Sequence, residues 1–278
     1  MSRTQTQQSL PDSNRLSDFF DRLRAAPSSA LLLDYDGTLA PFQLDRNNAY
    51  PYPEIVPLLQ KIQHCRGSRI VIITGRPAAD LKPFLWPLDN LEIWGAHGLE
   101  HLLPDGTYQQ SPTASSTLGL LSQAKTWVMK SSLDPLAEFK PGGIAIHWRG
   151  MAQSEAKEVE AQVRDGLTAF ARNGELKLLS FESGVELRIA RPHKGDAVTL
   201  IIGESAQNTE IAYLGDDLTD EDSFRALNGH GLTVLVRPEF RATAARVWLK
   251  PPHELVGFLE QWLSAVSKSD HLSTALPG

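Results

Sequence analysis

Two aspartates one residue apart, Asp34 and Asp36, follow three leucines in the segment LLLDYDGT. Carboxylates this close repel each other, and holding them beside a buried strand costs free energy unless a cation or a proton compensates. Two carboxylates in different environments can divide a reaction between them, one as nucleophile and one as general acid and base. The spacing therefore predicts a site where both aspartates meet a cation and an anionic substrate.

Further polar signals occur where other apolar runs end. Thr74 and Gly75 close the run RIVIITG, and Lys194 opens a predicted helix. The segment GDDLTDED follows another apolar run and contains three candidate ligands, Asp216, Asp217 and Asp220. Each signal alone fits a loop, a helix cap or a charged first helical turn. Together they predict several carboxylates, a hydroxyl and a lysine at one edge of a sheet, where hard oxygen ligands suit Mg²⁺.

The balance of charge supports a phosphate ester as the anionic substrate. A phosphate monoester carries about −2, and Asp34 and Asp216 about −1 each, at their ordinary pKa values. Mg²⁺ and Lys194 together contribute a charge of about +3. A bound cation would thus allow an anionic nucleophile to approach an anionic phosphate.

Short unbroken apolar runs alternate with helical patterns along much of the chain, which predicts a doubly wound, mostly parallel α/β sheet. Ligands of such sheets bind at the carboxyl ends of the strands. The predicted helices are 14–25, 54–65, one that starts at Pro77, 194–203, 220–227 and 253–266. The predicted strands are ALLLDYD, RIVIITG, LEIWGAHG, EIAYLGDD and LTVLV.

The pattern changes near residue 105, where DGTYQQ reads as a turn. Helical patterns follow at 115–131 and 154–173. GIAIHWR alternates like a strand with one solvent-exposed face, and LKLLSF and GVELRI read as the two strands of a hairpin. We therefore predict an inserted α+β cap domain at 107–187, a core formed by 14–106 and 188–278, and a disordered polar tail at 1–13.

Composition excludes several classes of function. The net charge of −6 argues against nucleic acid as a partner, because phosphate backbones recruit clustered lysine and arginine. A single cysteine, Cys65, excludes an intrachain disulfide. No run reaches the roughly 18 apolar residues of a membrane span, and the first residues lack the apolar stretch of a secretory signal. We expect a cytoplasmic protein with a small-molecule substrate and no membrane partner, and a monomer is the working expectation.

The segments DYDGTLAP, ITGRP, KGDA and GDDLTDED, in this order, resemble the four motifs of the haloacid dehalogenase superfamily of phosphatases. An insert between the second and third motifs implies a C2-type cap. Within the superfamily the chain is similar to the trehalose-6-phosphate phosphatase family, on the evidence of GAHGLE, EFKPGGIAIHWR and VELR. The resemblance spans about residues 30–230. It implies hydrolysis of trehalose 6-phosphate to trehalose and phosphate in trehalose biosynthesis.

The resemblance assigns roles to the residues at the sheet edge. It implies that Asp34 attacks phosphorus and forms an aspartyl-phosphate, while Asp36 protonates the departing sugar oxygen and then takes a proton from water. It implies Mg²⁺ ligands from Asp34, the backbone carbonyl of Asp36, and Asp216, with Asp217 and Asp220 as second choices. Thr74 and Lys194 would hold the phosphoryl oxygens, assisted by backbone N–H groups around Gly37 and Gly75.

The resemblance also assigns residues of the insert to the sugar. Five residues would bind the glucose farther from the phosphate, namely Glu138, Lys140, His147, Glu182 and Arg149. We expect Glu138, Lys140 and His147 to lie on one bent strand at the mouth of the cleft. Arg76 and Arg149 match family motifs with a structural role or a role in steering phosphate.

The chain departs from the family pattern at three positions. Trp148 stands where the family usually has tyrosine, and Ile189 and Arg191 stand where it usually has proline and glycine. The spacing from Glu186 to Lys194 is kept, so Lys194 is still expected to reach the site.

Several alternatives remain open at this point. The same enzyme class could act on sucrose 6-phosphate, glucosylglycerol phosphate or mannosyl-3-phosphoglycerate, and a phosphomannomutase would transfer phosphate rather than release it. A phospho-accepting signalling domain also combines aspartates, threonine and lysine, but it lacks an 80-residue insert. A catalytically dead scaffold predicts loss of Asp34 or Asp36, and both are present.

Overall fold

Two sheets organise the computed structural model, which describes residues 13–43, 45–181 and 183–267. The strands are β1 Ser28–Leu33, β2 Ser68–Ile73, β3 Glu92–Gly95, β4 Glu100–Leu102, β5 Tyr108–Gln110, β6 Ala137–Lys140, β7 Gly143–His147, β8 Leu176–Phe181, β9 Gly184–Ile189, β10 Thr209–Gly215, β11 Leu232–Val236 and β12 Val247–Leu249. The helices are α1 Ser13–Ala25, α2 Ile55–Gln63, α3 Ala78–Leu85, α4 Ser115–Lys130, α5 Gln153–Thr168, α6 Lys194–Glu204, α7 Glu221–Leu227 and α8 His253–Ser267.

The larger sheet has eight strands in the order β12-β11-β10-β1-β2-β3-β4-β5. The strands from β12 to β3 are parallel, and β3, β4 and β5 pair antiparallel. The reversal of strand order lies at β1, which pairs with β10 on one side and β2 on the other. The predicted fold class, a doubly wound and mostly parallel α/β sheet, is confirmed.

Both faces of the larger sheet are covered by helices, as its unbroken apolar strands require. Leu31 and Leu33 of β1 point into a core shared with α1, α2, α3 and α8. Ala30 and Leu32 point to the opposite face, where α6 and α7 pack. Successive side chains alternate between the faces, so every β1 residue after Ser28 is buried by one layer or the other. This packing fixes the position of the carboxyl end of β1 within the sheet.

The smaller sheet has four antiparallel strands in the order β6-β7-β9-β8. Ile144 and Ile146 of β7 pack with side chains of α4 and α5 in a second core. The alternate positions of β7, Ala145 and His147, therefore face away from those helices. The sheet has one face buried against α4 and α5 and one face that carries polar side chains.

Two expectations differ from the structure in detail, and some short strands were not predicted. EFKPGGIAIHWR is not one bent strand but a hairpin of β6 and β7 in which Glu138 pairs with Ala145, because the chain turns back at Gly142. DGTYQQ contains a turn, but Tyr108–Gln110 continues as an edge strand of the larger sheet. The strands β4, β5 and β12 have three residues each, too few to show a periodic pattern.

Two predictions concern boundaries. Residues 1–12 of the predicted tail lie outside the described residues, and Ser13 is already the first residue of α1. The division into a core and an insert at 107–187 stays a prediction, although β5 belongs to the larger sheet and β6 to β9 form the smaller one. Within the described ranges, none of the helices combines the length and apolar character needed to cross a bilayer.

Candidate active site

The two central strands of the larger sheet deliver aspartates to the same edge. Leu33 of β1 pairs in parallel with Leu214 of β10, and the Asp34 N–H donates to the Leu214 carbonyl at 2.9 Å. Asp34 therefore lies level with Gly215, one residue before Asp216. This edge is the carboxyl end of the parallel strands and lies at the reversal of strand order, where open α/β sheets bind ligands.

Asp34, Asp216 and Asp220 form a buried acidic cluster. One carboxylate oxygen from each lies within 4.8 Å of the others. Burial, reinforced by the Asp220 charge and opposed by Lys194, raises the pKa of Asp34 to about 7. Burial and the neighbouring Asp34 charge raise the pKa of Asp216 well above its ordinary value. Three buried carboxylates and one lysine leave excess negative charge, and oxygen-only donors of this kind can hold a divalent cation.

Lys194 lies inside this cluster as the first residue of α6. The helix begins there because the His193 side chain accepts from the Asp196 N–H, and the Asp196 carboxylate accepts from the His193 N–H at 2.9 Å. The Lys194 Nζ donates to Asp34 Oδ1 at 2.6 Å. Burial disfavours the ammonium, but the Asp220 and Asp34 carboxylates raise the pKa of Lys194 well above its usual range. Lys194 is therefore a fixed positive charge beside Asp34.

Asp220 is fully engaged with protein donors. Its Oδ1 accepts from Lys194 Nζ at 2.8 Å and from the Tyr213 hydroxyl at 2.6 Å. Its Oδ2 accepts from the backbone N–H groups of Asp216 and Asp217, both at 3.0 Å. Asp220 has no exposed surface. It thus positions Lys194 and the loop that carries Asp216, and it is a weaker candidate for a cation ligand than Asp34 or Asp216.

Gly37 makes room for the Asp216 carboxylate. Its φ of +80° is in the left-handed region, and a Cβ there would lie 2.1 Å from Asp216 Oδ2. Only glycine satisfies both the conformation and the close approach. The Gly37 N–H donates to the Ala40 carbonyl at 2.9 Å. In this conformation Gly37 shapes the site rather than offering its N–H to a phosphoryl group.

Asp36 lies at the rim of the same edge, with 34% of its side chain exposed. Arg76 donates from Nε and Nη2 to its two oxygens, at 2.7 and 2.5 Å. The guanidinium itself is buried and lies over the rings of Tyr35 and Phe84, at 5.1 and 5.4 Å from the ring centroids. The two aspartates thus occupy different environments, one buried against Lys194 and one exposed and held by Arg76.

Thr74 and Gly75 lie at the end of β2. Thr74 is fully buried, and its Oγ1 accepts from the Arg76 N–H at 3.1 Å. Gly75 reaches the cleft surface. Thr74 therefore shapes the turn that presents Gly75 and Arg76.

The polar face of the smaller sheet opposes the aspartates. Glu138, Ala145 and Glu186 lie side by side across β6, β7 and β9, so their side chains share one face. Lys140 Nζ donates to Glu186 Oε1 at 2.9 Å. His147 Nε2 lies 3.3 Å from Glu138 Oε2. The predicted residues Glu138, Lys140 and His147 are therefore neighbours, through the hairpin rather than along one strand.

A cleft of about 780 Å³ lies between the two sheets and joins these groups. This volume is typical of small-molecule sites. Predicted residues from both sides line it, namely Asp34, Asp36, Gly75, Arg76, Glu138, Lys140, His147, Arg149, Lys194, Asp216 and Asp217. The two ends of the cleft differ in chemistry, since one carries the acidic cluster with Lys194 and the other carries Glu, Lys and His side chains.

Two predicted arginines make contacts beyond the cleft surface. Arg149 donates from Nη1 to the Gln43 carbonyl at 3.0 Å and lies over the Phe42 ring at 5.1 Å, so it joins the smaller sheet to the loop after Asp36. Arg191 is 75% exposed and pairs with Asp196. Glu182 lies outside the described residues.

Three residues of the site escaped the sequence analysis. Glu186 lies in VELR, one of the segments that carry the family resemblance, and that position is the signal that marks it. His97, in GAHGLE, lines the cleft and lies 3.3 Å from Glu186. Arg241 donates to the carbonyls of Asp216 and Asp217 at 3.2 and 2.7 Å. No local pattern marks Arg241, because its partners lie 25 and 24 residues away.

Comparison with known proteins agrees with this geometry. The family model described as trehalose-phosphatase matches residues 32–246. A trehalose-phosphate phosphatase of Mycobacterium leprae (strain TN) is 34% identical over 278 residues, which cover 91% of this chain and 61% of the relative. A trehalose-phosphate phosphatase of Mycobacterium tuberculosis (strain ATCC 25618 / H37Rv) is 32% identical, covering 91% of this chain and 65% of the relative. The chain thus spans less than two thirds of the length of these curated relatives.

Solved structures share the fold. The C-terminal domain of the C. albicans trehalose-6-phosphate phosphatase superposes with a TM-score of 0.77 at 21% identity, covering 93% of this chain and 99% of that one. A trehalose-6-phosphate phosphatase of Aspergillus fumigatus superposes with a TM-score of 0.66 at 22% identity, covering 92% and 100%. The matched segment includes both ends of the cleft, from Asp34 to Arg241, and the chain belongs to the trehalose-phosphatase family.

Proposed function

We propose that the chain is a Mg²⁺-dependent phosphatase that hydrolyses trehalose 6-phosphate to trehalose and phosphate. The observation that carries the proposal is the cleft, which joins a buried nucleophile beside a lysine at one end to a polar face suited to sugar hydroxyls at the other. Its volume admits a disaccharide phosphate. The family and the curated relatives support the same reaction.

Asp34 is the proposed nucleophile. Its Oδ atom attacks phosphorus, the bond from phosphorus to the sugar oxygen breaks, and an aspartyl-phosphate forms. Lys194, 2.6 Å from Asp34 Oδ1, keeps the carboxylate oriented and places positive charge where the phosphoryl oxygens gather negative charge. The backbone around Gly75 is the proposed second contact of the phosphoryl group, with the turn shaped by Thr74.

Asp36 is the proposed general acid and base. It gives a proton to the departing sugar oxygen, then takes one from the water that attacks the aspartyl-phosphate and releases phosphate. Each carboxylate oxygen has two lone pairs, so an oxygen bonded to Arg76 keeps a second position for a proton. The exposure of Asp36 toward the cleft supports this assignment.

Mg²⁺ is the proposed cofactor, because the donor set is oxygen-only and buried. Asp34, Asp216 and the backbone carbonyl of Asp36 would hold it. Asp217 is a second choice, and the four hydrogen bonds already accepted by Asp220 argue against that residue. When bound, the ion would neutralise carboxylate charge and withdraw charge from the phosphoryl oxygens.

The glucose farther from the phosphate is proposed to lie against the smaller sheet. Glu138, Lys140 and His147 offer acceptors and donors there, and Glu186 joins them from β9. Sugar hydroxyls both donate and accept, so such a mixed set suits them. Glu182 is retained from the family resemblance alone, and Arg149 is proposed to act through the loop after Asp36.

Phosphate release from a panel of sugar phosphates tests the proposal. We expect turnover of trehalose 6-phosphate with Mg²⁺ and its loss in EDTA. Asp34→Asn should reduce turnover by roughly 10³-fold or more, whereas the exposed Asp89→Asn serves as a matched control. Near-native activity of Asp34→Asn would refute the nucleophile assignment.

The panel also separates the alternative substrates. It includes sucrose 6-phosphate, glucosylglycerol phosphate and mannosyl-3-phosphoglycerate. Equal kcat/KM for sucrose 6-phosphate and trehalose 6-phosphate would overturn the proposed substrate while leaving the phosphatase chemistry intact.

A monomer in the cytoplasm, with no nucleic-acid partner, completes the proposal. The net negative charge argues against a nucleic-acid partner, and the single cysteine leaves no intrachain disulfide that would favour an oxidising compartment. Size-exclusion chromatography with light scattering tests the monomer, and cell fractionation tests the compartment.

A further inference from the structure

Three consecutive residues after β3 have left-handed backbone conformations. The φ values are 46° at Ala96, 59° at His97 and 99° at Gly98. For the two residues with a side chain this conformation costs roughly 1 kcal/mol or more each. The Ala96 N–H donates to the Arg76 carbonyl at 2.8 Å and the His97 N–H to the Thr74 carbonyl at 2.9 Å. These bonds hold His97 against the end of β2, beside the proposed phosphate site.

The His97 side chain reaches from the larger sheet to the smaller one. A Cβ on Gly75 would lie 2.7 Å from both Cε1 and Nε2 of the ring, so Gly75 leaves the space that the imidazole occupies. His97 Nε2 lies 3.3 Å from Glu186 Oε2. The other Glu186 oxygen accepts from Lys140 Nζ at 2.9 Å. One connected set of contacts therefore runs from Gly75 through His97 and Glu186 to Lys140.

The charge state of the ring follows from its surroundings. Burial, opposed by the Glu186 charge and assisted by Arg188 and Lys140, lowers the pKa of His97 to about 4. Burial alone would raise the pKa of Glu186, but the Lys140 charge and the hydrogen bond with His97 outweigh it and hold the pKa well below its usual range. A neutral imidazole beside an ionised carboxylate carries its proton on the nitrogen that faces it, which is Nε2.

The second ring nitrogen, Nδ1, is buried, and His97 lines a small cavity. Nδ1 of His97 and the Nε and Nη1 atoms of Arg188 are buried without a hydrogen-bond partner in the described part of the chain. Both residues line a cavity of about 10 Å³, room for roughly one water molecule. A water there would accept from Arg188 and donate to Nδ1, which keeps the ring proton on Nε2.

We propose that His97, as the Nε2–H tautomer, is a positioning residue that orients Glu186 and, through it, Lys140 toward the sugar end of the substrate. The proposal rests on the proposed function, because it assumes a substrate whose sugar reaches the smaller sheet. The His97 ring packs beside Gly75, but its Nε2 contact is with Glu186, at the sugar end of the cleft. Loss of the Nε2–H donor, with the space beside Gly75 still filled, should therefore harm a disaccharide phosphate more than a small phosphate ester that stays at the aspartate end.

His97→Gln and His97→Met form the test pair. The two side chains have similar length and face the same backbone strain, but only glutamine keeps an N–H donor near the position of Nε2. We measure kcat and KM for trehalose 6-phosphate and for p-nitrophenyl phosphate with Mg²⁺. We expect His97→Met to lower the ratio of the two kcat/KM values roughly tenfold, mainly through the KM of trehalose 6-phosphate, and His97→Gln to restore most of it.

Equal losses on both substrates, or identical ratios for the two variants, would overturn the proposal. A wild-type enzyme that prefers another disaccharide phosphate would refute the proposed substrate instead, and the His97 ratio is then measured with that compound. If either variant fails to fold, the ¹⁵N shifts of the His97 ring in the wild-type protein decide. Protonation of Nδ1 rather than Nε2 would contradict the proposal.

Discussion

Arg76 donates to both carboxylate oxygens of Asp36, at 2.7 and 2.5 Å, from a guanidinium that is itself buried. A planar fork matched to a carboxylate fixes both its position and its plane. Asp36 is otherwise at the rim of the cleft, where water would leave its side chain free to rotate. The proposed general acid is therefore positioned by a residue 40 positions later in the chain.

Arg76→Lys should separate charge from geometry at this pair. Lysine keeps the positive charge but loses the two-point contact. We expect kcat to fall roughly 100-fold, because a small misplacement of a catalytic group has effects of this size. Arg22→Lys, at an exposed pair with Glu210, is the control. Wild-type kcat in Arg76→Lys would show that the fork is dispensable.

Gly37→Ala should weaken cation binding. The added Cβ would collide with Asp216 Oδ2, so the proposed ligand must move. We expect the apparent Mg²⁺ affinity to fall roughly tenfold or more, the size seen for groups that orient metal ligands. Calorimetric titration with Mg²⁺ measures it.

Gly106→Ala provides the matched control for this clash. Gly106 has a φ of +85°, close to that of Gly37, but nothing lies within 4 Å of its Cβ position. Both variants therefore carry the same backbone strain and only one carries the collision. Equal changes in Mg²⁺ affinity would contradict the steric explanation.

Asp220→Asn should destabilise the protein whether or not Mg²⁺ is present. An amide has one acceptor oxygen, and its NH₂ group would face donors that the carboxylate now satisfies. We expect the free energy of unfolding to fall by about 3 kcal/mol, as for a broken buried pair. Urea denaturation in EDTA and in Mg²⁺ measures the loss. A loss confined to Mg²⁺ would make Asp220 a cation ligand after all.

Glu92→Gln should remove a pH-dependent part of the stability. Burial alone would raise the pKa of Glu92, but hydrogen bonds from His101 and Arg69 outweigh it and lower the pKa to about 2. The folded pKa lies below the ordinary value of 4.5, so this stabilisation is present above pH 4.5 and is lost as the pH falls toward 2. It amounts to about 3 kcal/mol.

Urea denaturation between pH 2.5 and 7 checks this prediction. The variant should be less stable than the wild type at pH 7, and the difference should shrink as the pH falls. Glu210→Gln, which removes a more exposed ion pair with Arg22, should change stability by less than about 1 kcal/mol. A constant difference for Glu92→Gln across the pH range would refute the linkage.

Local pattern was sufficient for the parallel part of the sheet and for the aspartate end of the cleft. Unbroken apolar runs such as 31–33 indicate strands buried on both faces, and polar residues directly after them must lie at the carboxyl edge. Asp34, Asp36, Lys194 and Asp216 could be brought together on that basis. The edge strands could not be predicted, since three residues carry too little periodicity.

Only the tertiary structure determined which charged groups pair with each other and which face the cleft. Asp216 and Asp220 read alike in the sequence, but four donors, from α6, β10 and the loop after β10, occupy Asp220 and leave Asp216 facing the cleft. Lys140 and Glu186 meet across 46 residues, and Arg76 meets Asp36 across 40. Such contacts depend on strand order and register, which long-range packing sets and a local pattern does not encode.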